Sequence, residues 1–333
     1  MENNQIVVSV ICLAYNHGKY IRDCLEGFVS QKTDFAFEVI IHDDASTDNT
    51  AEIIREYEEK YPDIIKPVYQ TENKFSTPFV VTYVMPKVRG EFVAMCEGDD
   101  YWTDPYKLQK QVDGMREHPN CGMCVHKVLE VNEDKEANGV TFPSTPVQPG
   151  VLSSRQFFEI GKNYSFHTSS YFFRTEQYRQ YRYDPPAFVK KCDVGDEVVM
   201  LYFGALGDVL YIEDAMSCYR RGAQVSWSAK NYKNLDKLTA HSDKMIDTLK
   251  SFDEYSRYQY HDIVCHRIGY QMAKAVILHL NARIFLKKEN REYFACLSGK
   301  RKMFILAAMV FPKLIRKLYL GRINKISKDR GVF

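Results

Sequence analysis

Two aspartates stand side by side in the stretch FVAMCEGDDYW, residues 92–102, where an apolar run meets a glycine and then Asp99 and Asp100. Adjacent carboxylates repel one another and are poor strand formers. On a tight turn they suit a hard divalent cation, which takes oxygen ligands and retains waters. A cation bridging two phosphates would neutralise the charge of a diphosphate leaving group. The plainer reading is that the pair ends a strand and caps the next element, as Asp often does, although a cap needs only one residue. Two further polar clusters come directly after apolar runs: Ala14-Tyr15-Asn16-His17 and Asp43-Asp44-Ala45-Ser46.

The runs that precede these clusters must position them. Ile6–Leu13 is nearly continuous, apolar and rich in β-branched residues, the pattern of a strand buried on both faces. Helical spacing through Ile21, Leu25, Phe28 and Val29 comes next, then a strand over Phe37–His42 and a helix near Ala51–Lys60. Ile64–Tyr69 reads as a strand, Thr77–Val88 as a helix and Glu91–Cys96 as another strand. Asp104 and Pro105 supply an N-cap and an N1 proline for a helix towards His118. Strand–helix alternation with short connections argues for an α/β layer with right-handed crossovers. Ligands in open sheets of this kind bind beyond the carboxyl ends of the strands, so a parallel sheet would gather all three clusters at one edge.

Beyond a strand at Cys121–Val131 the order loosens, and residues 133–150 (EDKEANGVTFPSTPVQPG) read as a long surface loop. Residues 151–227 mix short helices and strands, and the pattern turns helical from Lys230 to Ser298. No GxGxxG comes after the first strand and no GxxxxGK[ST] occurs, so neither a dinucleotide fingerprint nor a P-loop supports the fold.

Composition is that of an ordinary globular chain, 45% hydrophobic and 26% charged over 333 residues, but the charge is unevenly spread. Residues 300–333 carry ten Lys/Arg and one acidic residue, a balance of +9, while residues 1–299 carry −7. A basic tail on an acidic body points to an anionic surface. Its apolar run, Met303–Phe311, is nine residues long, far short of the ~20 that span a bilayer. An interfacial amphipathic helix on anionic lipid and a terminal helix packed on the body both fit. The nine cysteines are scattered, Cys121 and Cys124 form a lone CxxC, and no secretory signal opens the chain. These features favour a reducing cytoplasm, with peripheral attachment to the inner face of the plasma membrane as a refinement.

The stretches VSVICLAYNHGKYI, FEVIIHDDASTDNT and GEFVAMCEGDDYW, in this order and spacing, resemble glycosyltransferase family 2. The likeness is close over residues 6–130 and looser to about residue 228. It implies a GT-A (Rossmann-like) fold, a mixed, mainly parallel sheet flanked by helices, here with a helical C-terminal extension. It implies transfer of a sugar from a nucleotide diphosphate donor, with inversion, using Mn²⁺ or Mg²⁺. The implied domain is residues 1–228, a nucleotide-sugar half over about 1–130 and an acceptor half over about 131–228. Residues 229–299 would form the helical extension and 300–333 the basic tail.

Residue by residue, the resemblance sets Ala14, Tyr15 and Asn16 along the nucleotide, with Tyr15 against the base. Asp44 matches the base-binding aspartate, with Asp43 and Ser46 beside it; Asp48 caps the next helix. Asp100 matches the metal ligand, Asp99 would reach the ribose or donor sugar, and Glu97 takes the outer position of the motif. An inverting transfer needs a general base. Asp196 is the candidate, with Glu197 and Asp193 as rivals, or Asp196 and Glu197 merely open a helix. Many relatives carry a histidine after a Tyr-Arg pair, where this chain has Tyr219-Arg220-Arg221-Gly222. Arg220 and Arg221 would then pair with the diphosphate, Arg220 could instead be a structural ion-pair partner, and His241 is another candidate for the third metal ligand. His167-Thr168-Ser169-Ser170 would line the acceptor pocket or simply enter a strand.

The partners implied are a nucleotide-diphosphate sugar, UDP before GDP or dTDP, and a saccharide or lipid-linked acceptor in bacterial surface polysaccharide synthesis. No nucleic acid is expected. Two other functions compete: a sugar-nucleotide binding protein without catalysis, and a sugar nucleotidyltransferase. The second would want a Gly- and Lys/Arg-rich loop after the first strand, which AYNHGKY does not supply.

Overall fold

Apolar, β-branched runs build a sheet whose central strands are buried on both faces. The computed structural model describes residues 5–75, 77–160, 166–192, 195–222 and 235–329. Ten strands form the sheet: β1 (Ile6–Ala14), β2 (Ala36–Asp43), β3 (Ile65–Tyr69), β4 (Phe92–Glu97), β5 (Tyr101–Trp102), β6 (Cys121–Val131), β7 (Ala137–Phe142), β8 (Gly150–Leu152), β9 (Phe172–Arg174) and β10 (Asp208–Arg220). Their order is β3-β2-β1-β4-β9-β6-β10-β5, with β7 on β6 and β8 on β10. The pairs β3–β2, β2–β1 and β1–β4 are parallel, as is β6–β10, while β9 joins the two parallel blocks antiparallel to both neighbours. The chain reverses its direction of travel across the sheet between β1 and β4, which is where open sheets of this kind bind ligands.

Helices α1 (Ile21–Val29), α2 (Thr50–Lys60), α3 (Lys107–Glu117), α4 (Ser154–Ile160) and α5 (Thr175–Tyr183) accompany these strands. Val8, Val10 and Cys12 of β1 meet Leu25 and Phe28 of α1 and Leu108 and Val112 of α3 in one core. A buried polar knot ties the strand entries together. Ser9 donates to Glu38 at 2.7 Å, Glu38 takes the guanidinium of Arg89 at 2.8 Å, and the Gly90 amide donates to Ser9 at 2.9 Å.

The chain divides into two compact units, Met1–Pro185 with Tyr202–Arg220, and Pro186–Leu201 with Arg221–Phe333. The division falls within α6 (Gly195–Leu206). The second unit carries α7 (Leu235–Tyr255), α8 (His261–Leu278), α9 (Arg291–Ala295), α10 (Gly299–Val310) and α11 (Pro312–Asp329). Helices α7 and α8 pack on each other, and Phe188 stacks edge-on to Phe252 at 5.4 Å.

Three sequence expectations need correction. Thr77–Val88 is not one helix but a single wide turn, Val80–Val84, and then a 3₁₀ turn, Met85–Lys87. Pro86 removes an amide and the four β-branched residues Val80, Val81, Thr82 and Val84 resist a regular turn. The helix after Pro105 begins at Lys107, and Asp104 instead caps the preceding turn by accepting the Tyr106 amide at 2.8 Å. Residues 133–150 are not all loop, since Ala137–Phe142 pairs with the free flank of β6. Val140, Thr141 and Phe142 favour extended backbone, and an eleven-residue β6 leaves a ladder for them to join.

Lys107 is fully buried at the start of α3, donating to Gln111 at 2.6 Å and lying 4.0 Å above the Trp102 ring. Burial pushes its ammonium down from 10.5 to about 7. Between those values the unfolded chain holds a proton that the folded protein lacks, so Lys107 makes stability rise with pH, by up to ~1.4 kcal/mol per unit. Lys107→Met removes this dependence. The melting temperature of the variant minus that of the wild type should therefore fall as pH is raised from about 7 to about 10, and parallel curves would refute the assignment.

Candidate active site

Beyond the carboxyl ends of β1, β2 and β4 three short loops come together, stitched by backbone hydrogen bonds. The Asp44 amide donates to Ala14 at 3.0 Å and the Gly98 amide donates to Leu13 at 2.9 Å. Ser46 donates to Asp43 at 2.5 Å and accepts the Asn16 amide at 2.9 Å, while Asn16 Oδ1 accepts the Thr47 amide at 2.8 Å. Asn16 (φ 55°) and Ala45 (φ 59°) are both left-handed. Residues other than glycine carry a small conformational cost there, and such positions collect at functional loops. Asp48 accepts the Gly18 amide at 2.9 Å and the Thr50 amide at 3.0 Å, one residue ahead of Asn49, the N-cap of α2.

Asp44 is buried, and its Oδ1 accepts the Lys74 amide at 2.6 Å. The loop after β3 thus closes over this carboxylate. His42, near the end of β2, stacks on Phe79 at 4.7 Å. Tyr15 is half-buried at the end of β1.

The Asp99–Asp100 turn is held from both sides. A Cβ on Gly98 would lie 2.8 Å from His17 Nδ1 and 2.8 Å from Ile21 Cδ1, so only glycine lets β4 run this close to the first loop. After the turn, β5 pairs antiparallel with β10, Tyr101 opposite Cys218 and Trp102 opposite Ser217. This register brings the Arg220 amide to Asp100 Oδ1 at 2.9 Å. Asp100 is 1% exposed and Asp99 9%. Burial first, and the charge of Asp99 second, push the Asp100 carboxyl well above the usual carboxylate range. Asp99 Oδ1 is buried without a hydrogen-bond partner among the described residues. A buried, unpartnered carboxylate oxygen is costly, and a cation is what would relieve it. The donor set therefore fits Mn²⁺ or Mg²⁺.

His167 completes this surrounding. Its Nδ1 lies 3.7 Å from Asp100 Oδ2 and 3.1 Å from the Ser169 hydroxyl, which in turn bonds Ser217 at 2.8 Å. The ring packs 4.2 Å from Tyr219 and 5.8 Å from Phe142. Burial pushes this imidazole down to about 3, so it is neutral and keeps a lone pair. The sequence left the His167 segment between an acceptor pocket and a plain strand entry and did not connect it with Asp100. Only the placement of β9 between β4 and β6 makes that connection.

Arg220 is 2% exposed; its guanidinium donates to Asp23 at 2.8 Å and lies 4.7 Å and 5.2 Å from the Tyr20 and Tyr101 rings. Lys135 holds the other oxygen of Asp23 at 2.6 Å. Its side chain is thus engaged in a buried ion pair with Asp23, while its amide holds Asp100. Arg221 comes next, in the turn that opens the second unit.

Asp196 and Glu197 lie in the second unit, in the first turn of α6. Asp196 accepts the Glu197 amide at 2.8 Å, and burial raises its carboxyl to about 6, opposed by its own amide contact and by His241. Glu197 is buried in an ion pair with Arg267. Asp193 lies outside the described residues.

The fold defines the class. S. aureus TarS residues 1–349, solved in complex with UDP-GlcNAc, superposes with a TM-score of 0.56 at 16% identity, over 95% of this chain and 92% of that one. The arrangement is the GT-A fold. The chain belongs to glycosyl transferase family 2, which it matches over residues 9–181. An uncharacterized protein of Mycobacterium tuberculosis is 36% identical over 225 residues, 66% of this chain and 60% of that protein. This chain thus spans 60% of the length of that relative. A poly(ribitol-phosphate) beta-glucosyltransferase of Bacillus spizizenii is 29% identical over 97 residues, 28% of this chain and 15% of that protein.

Because the folded Asp100 carboxyl resists ionisation and the unfolded one does not, this residue costs stability at neutral pH. The cost disappears as pH falls through the ordinary carboxylate range near ~4. Asp100→Asn keeps an acceptor for the Arg220 amide, so with chelator present at neutral pH it should melt at or above the wild-type temperature. A clearly lower melting temperature would mean that the carboxylate is structural.

Proposed function

We propose that the chain is an inverting, cation-dependent glycosyltransferase that moves a sugar from a nucleotide diphosphate, UDP in first place, to a saccharide or lipid-linked acceptor in surface polysaccharide synthesis. The observation that carries this reading is the pair of buried carboxylates at the β1/β4 switch point, with an unpartnered oxygen on Asp99. Family membership and the TarS complex with UDP-GlcNAc support the donor class. The Bacillus glucosyltransferase supports a polymer acceptor.

In this reading Tyr15 lies against the base, and Asp44, fixed by the Lys74 amide, accepts the imide N–H of uracil. Asp43, Ser46, Ala14 and Asn16 hold the loops in place around it. Asp100 and His167 would hold the cation, and Asp99 would reach the ribose or donor sugar. Bound there, the cation would neutralise the charge that develops on the departing diphosphate. Arg220 keeps Asp100 in place through its amide. Asp196 accepts the acceptor hydroxyl proton as that oxygen attacks C1 and the bond from C1 to the diphosphate breaks. A carboxyl raised to about 6 is poised for this near neutral pH.

The membrane reading also gains support. Among the described residues no helix is long and apolar enough to cross a membrane. Helices α10 and α11 nevertheless expose Met303, Leu306, Val310, Phe311, Leu314 and Leu318, each more than half exposed, beside Lys313, Arg316 and Lys317. An apolar face flanked by cations suits an anionic lipid surface.

Product formation from a panel of nucleotide sugars should require Mn²⁺ or Mg²⁺. Asp196→Asn should retain donor binding yet lose about 10²-fold or more in rate; undiminished transfer would move the base elsewhere. Vesicles containing phosphatidylglycerol should sediment the full chain but not a Leu314→Glu/Leu318→Glu variant. Equal sedimentation of the two would show that this face does not meet lipid.

A further inference from the structure

Far along the chain, the second unit holds a cluster that the transfer reaction does not use. His261 and Cys265 sit four residues apart on α8, and Glu292 and Cys296 sit four residues apart on α9 and its C-cap. That spacing places each pair on one helical face. Ligand atoms of His261, Cys265 and Glu292 all lie within 4.8 Å of one another. Cys265 Sγ is 3.3 Å from His261 Nε2, which is 3.7 Å from Glu292 Oε2. Cys296, at the C-cap of α9, follows Glu292 by one helical turn and neighbours Cys265. Tetrahedral zinc with ordinary Zn–N, Zn–O and Zn–S bonds sets its donors about 3.3–3.8 Å apart, and the His261–Cys265 and His261–Glu292 separations fall in that range.

The surroundings are those of a metal site. Asp253 Oδ2 lies 2.6 Å from His261 Nδ1, which fixes the proton there and leaves Nε2 as the free lone pair facing Cys265 and Glu292. The other oxygen of Asp253 is buried without a hydrogen-bond partner among the described residues. A staple here also has a mechanical reason. Helix α9 is five residues long, too short to hold itself, and it meets α8 where a Cβ on Gly269 would come 2.5 Å from the Tyr293 carbonyl.

We propose that His261, Cys265, Glu292 and Cys296 form a structural zinc site that fastens α9 to α8, with Asp253 orienting the histidine. Thiolate and imidazole donors in a tetrahedral set select zinc over the hard cations suited to the carboxylate pair of the first unit.

The test is metal content of the full chain, purified without a metal-affinity step. Stoichiometric zinc is expected, retained in Asp100→Asn and lost in Cys265→Ser and in Glu292→Gln, the latter replacing a half-exposed side chain with little risk to folding. Cobalt exchanged into the wild type should give a thiolate-to-cobalt charge-transfer band, and a strong chelator should lower the melting temperature by several degrees. Absence of zinc and of that band, zinc unchanged in Glu292→Gln, or a Cys265–Cys296 disulfide in the native protein would each overturn the proposal.

Discussion

One hydrogen bond orders much of the first unit's chemistry: the amide of Arg220 on the carboxylate of Asp100, 2.9 Å long and fully buried. A carboxylate at 1% exposure beside a second carboxylate is electrostatically unfavourable. It stays in place because the sheet leaves it nowhere else to go. The two-residue strand β5 is pinned to β10, Trp102 packs edge-on against Phe28 at 4.8 Å, and the Arg220 guanidinium is locked between two tyrosine rings and Asp23. Packing thus holds in place a charge arrangement that is by itself unfavourable.

The same logic runs through the neighbouring loops. Asn16 and Ala45 adopt left-handed backbone although neither is glycine, and Asn16 is held by bonds with Ser46 and Thr47 of the opposite loop. The donors that satisfy Asp43 and Asp44 come from Ser46 and from the Lys74 amide, so these carboxylates are fixed by the protein itself. Fixed polar groups need no reorganisation on binding, which is the advantage of such a site.

Much of this was legible in the residues. Continuous apolar runs located β1, β2, β4 and β6 nearly to the residue, because strands buried on both faces carry an unbroken signal. The three polar clusters were visible because each comes directly after such a run. What the residues did not reveal depends on contacts distant in sequence. His167 reaches Asp100 only because β9 inserts between two parallel blocks, and Arg220 meets Asp23 across 197 positions of chain. Local patterns also failed where propensity was weak, as at Val80–Val84 and in the exposed strand β7. The cysteines looked like scattered core residues, and Cys265 and Cys296 gain meaning only when α9 folds back on α8.

If Asp100 binds a diphosphate through a divalent cation, UDP affinity must depend on both the metal and that carboxylate. A calorimetric titration of UDP into the full chain, with Mn²⁺ and then with chelator, measures that dependence. Measurable affinity is expected with Mn²⁺, with at least a tenfold loss, about 1.4 kcal/mol, both without it and in Asp100→Asn. Equal affinity in all three titrations would mean that the carboxylate pair does not hold a cation for the diphosphate.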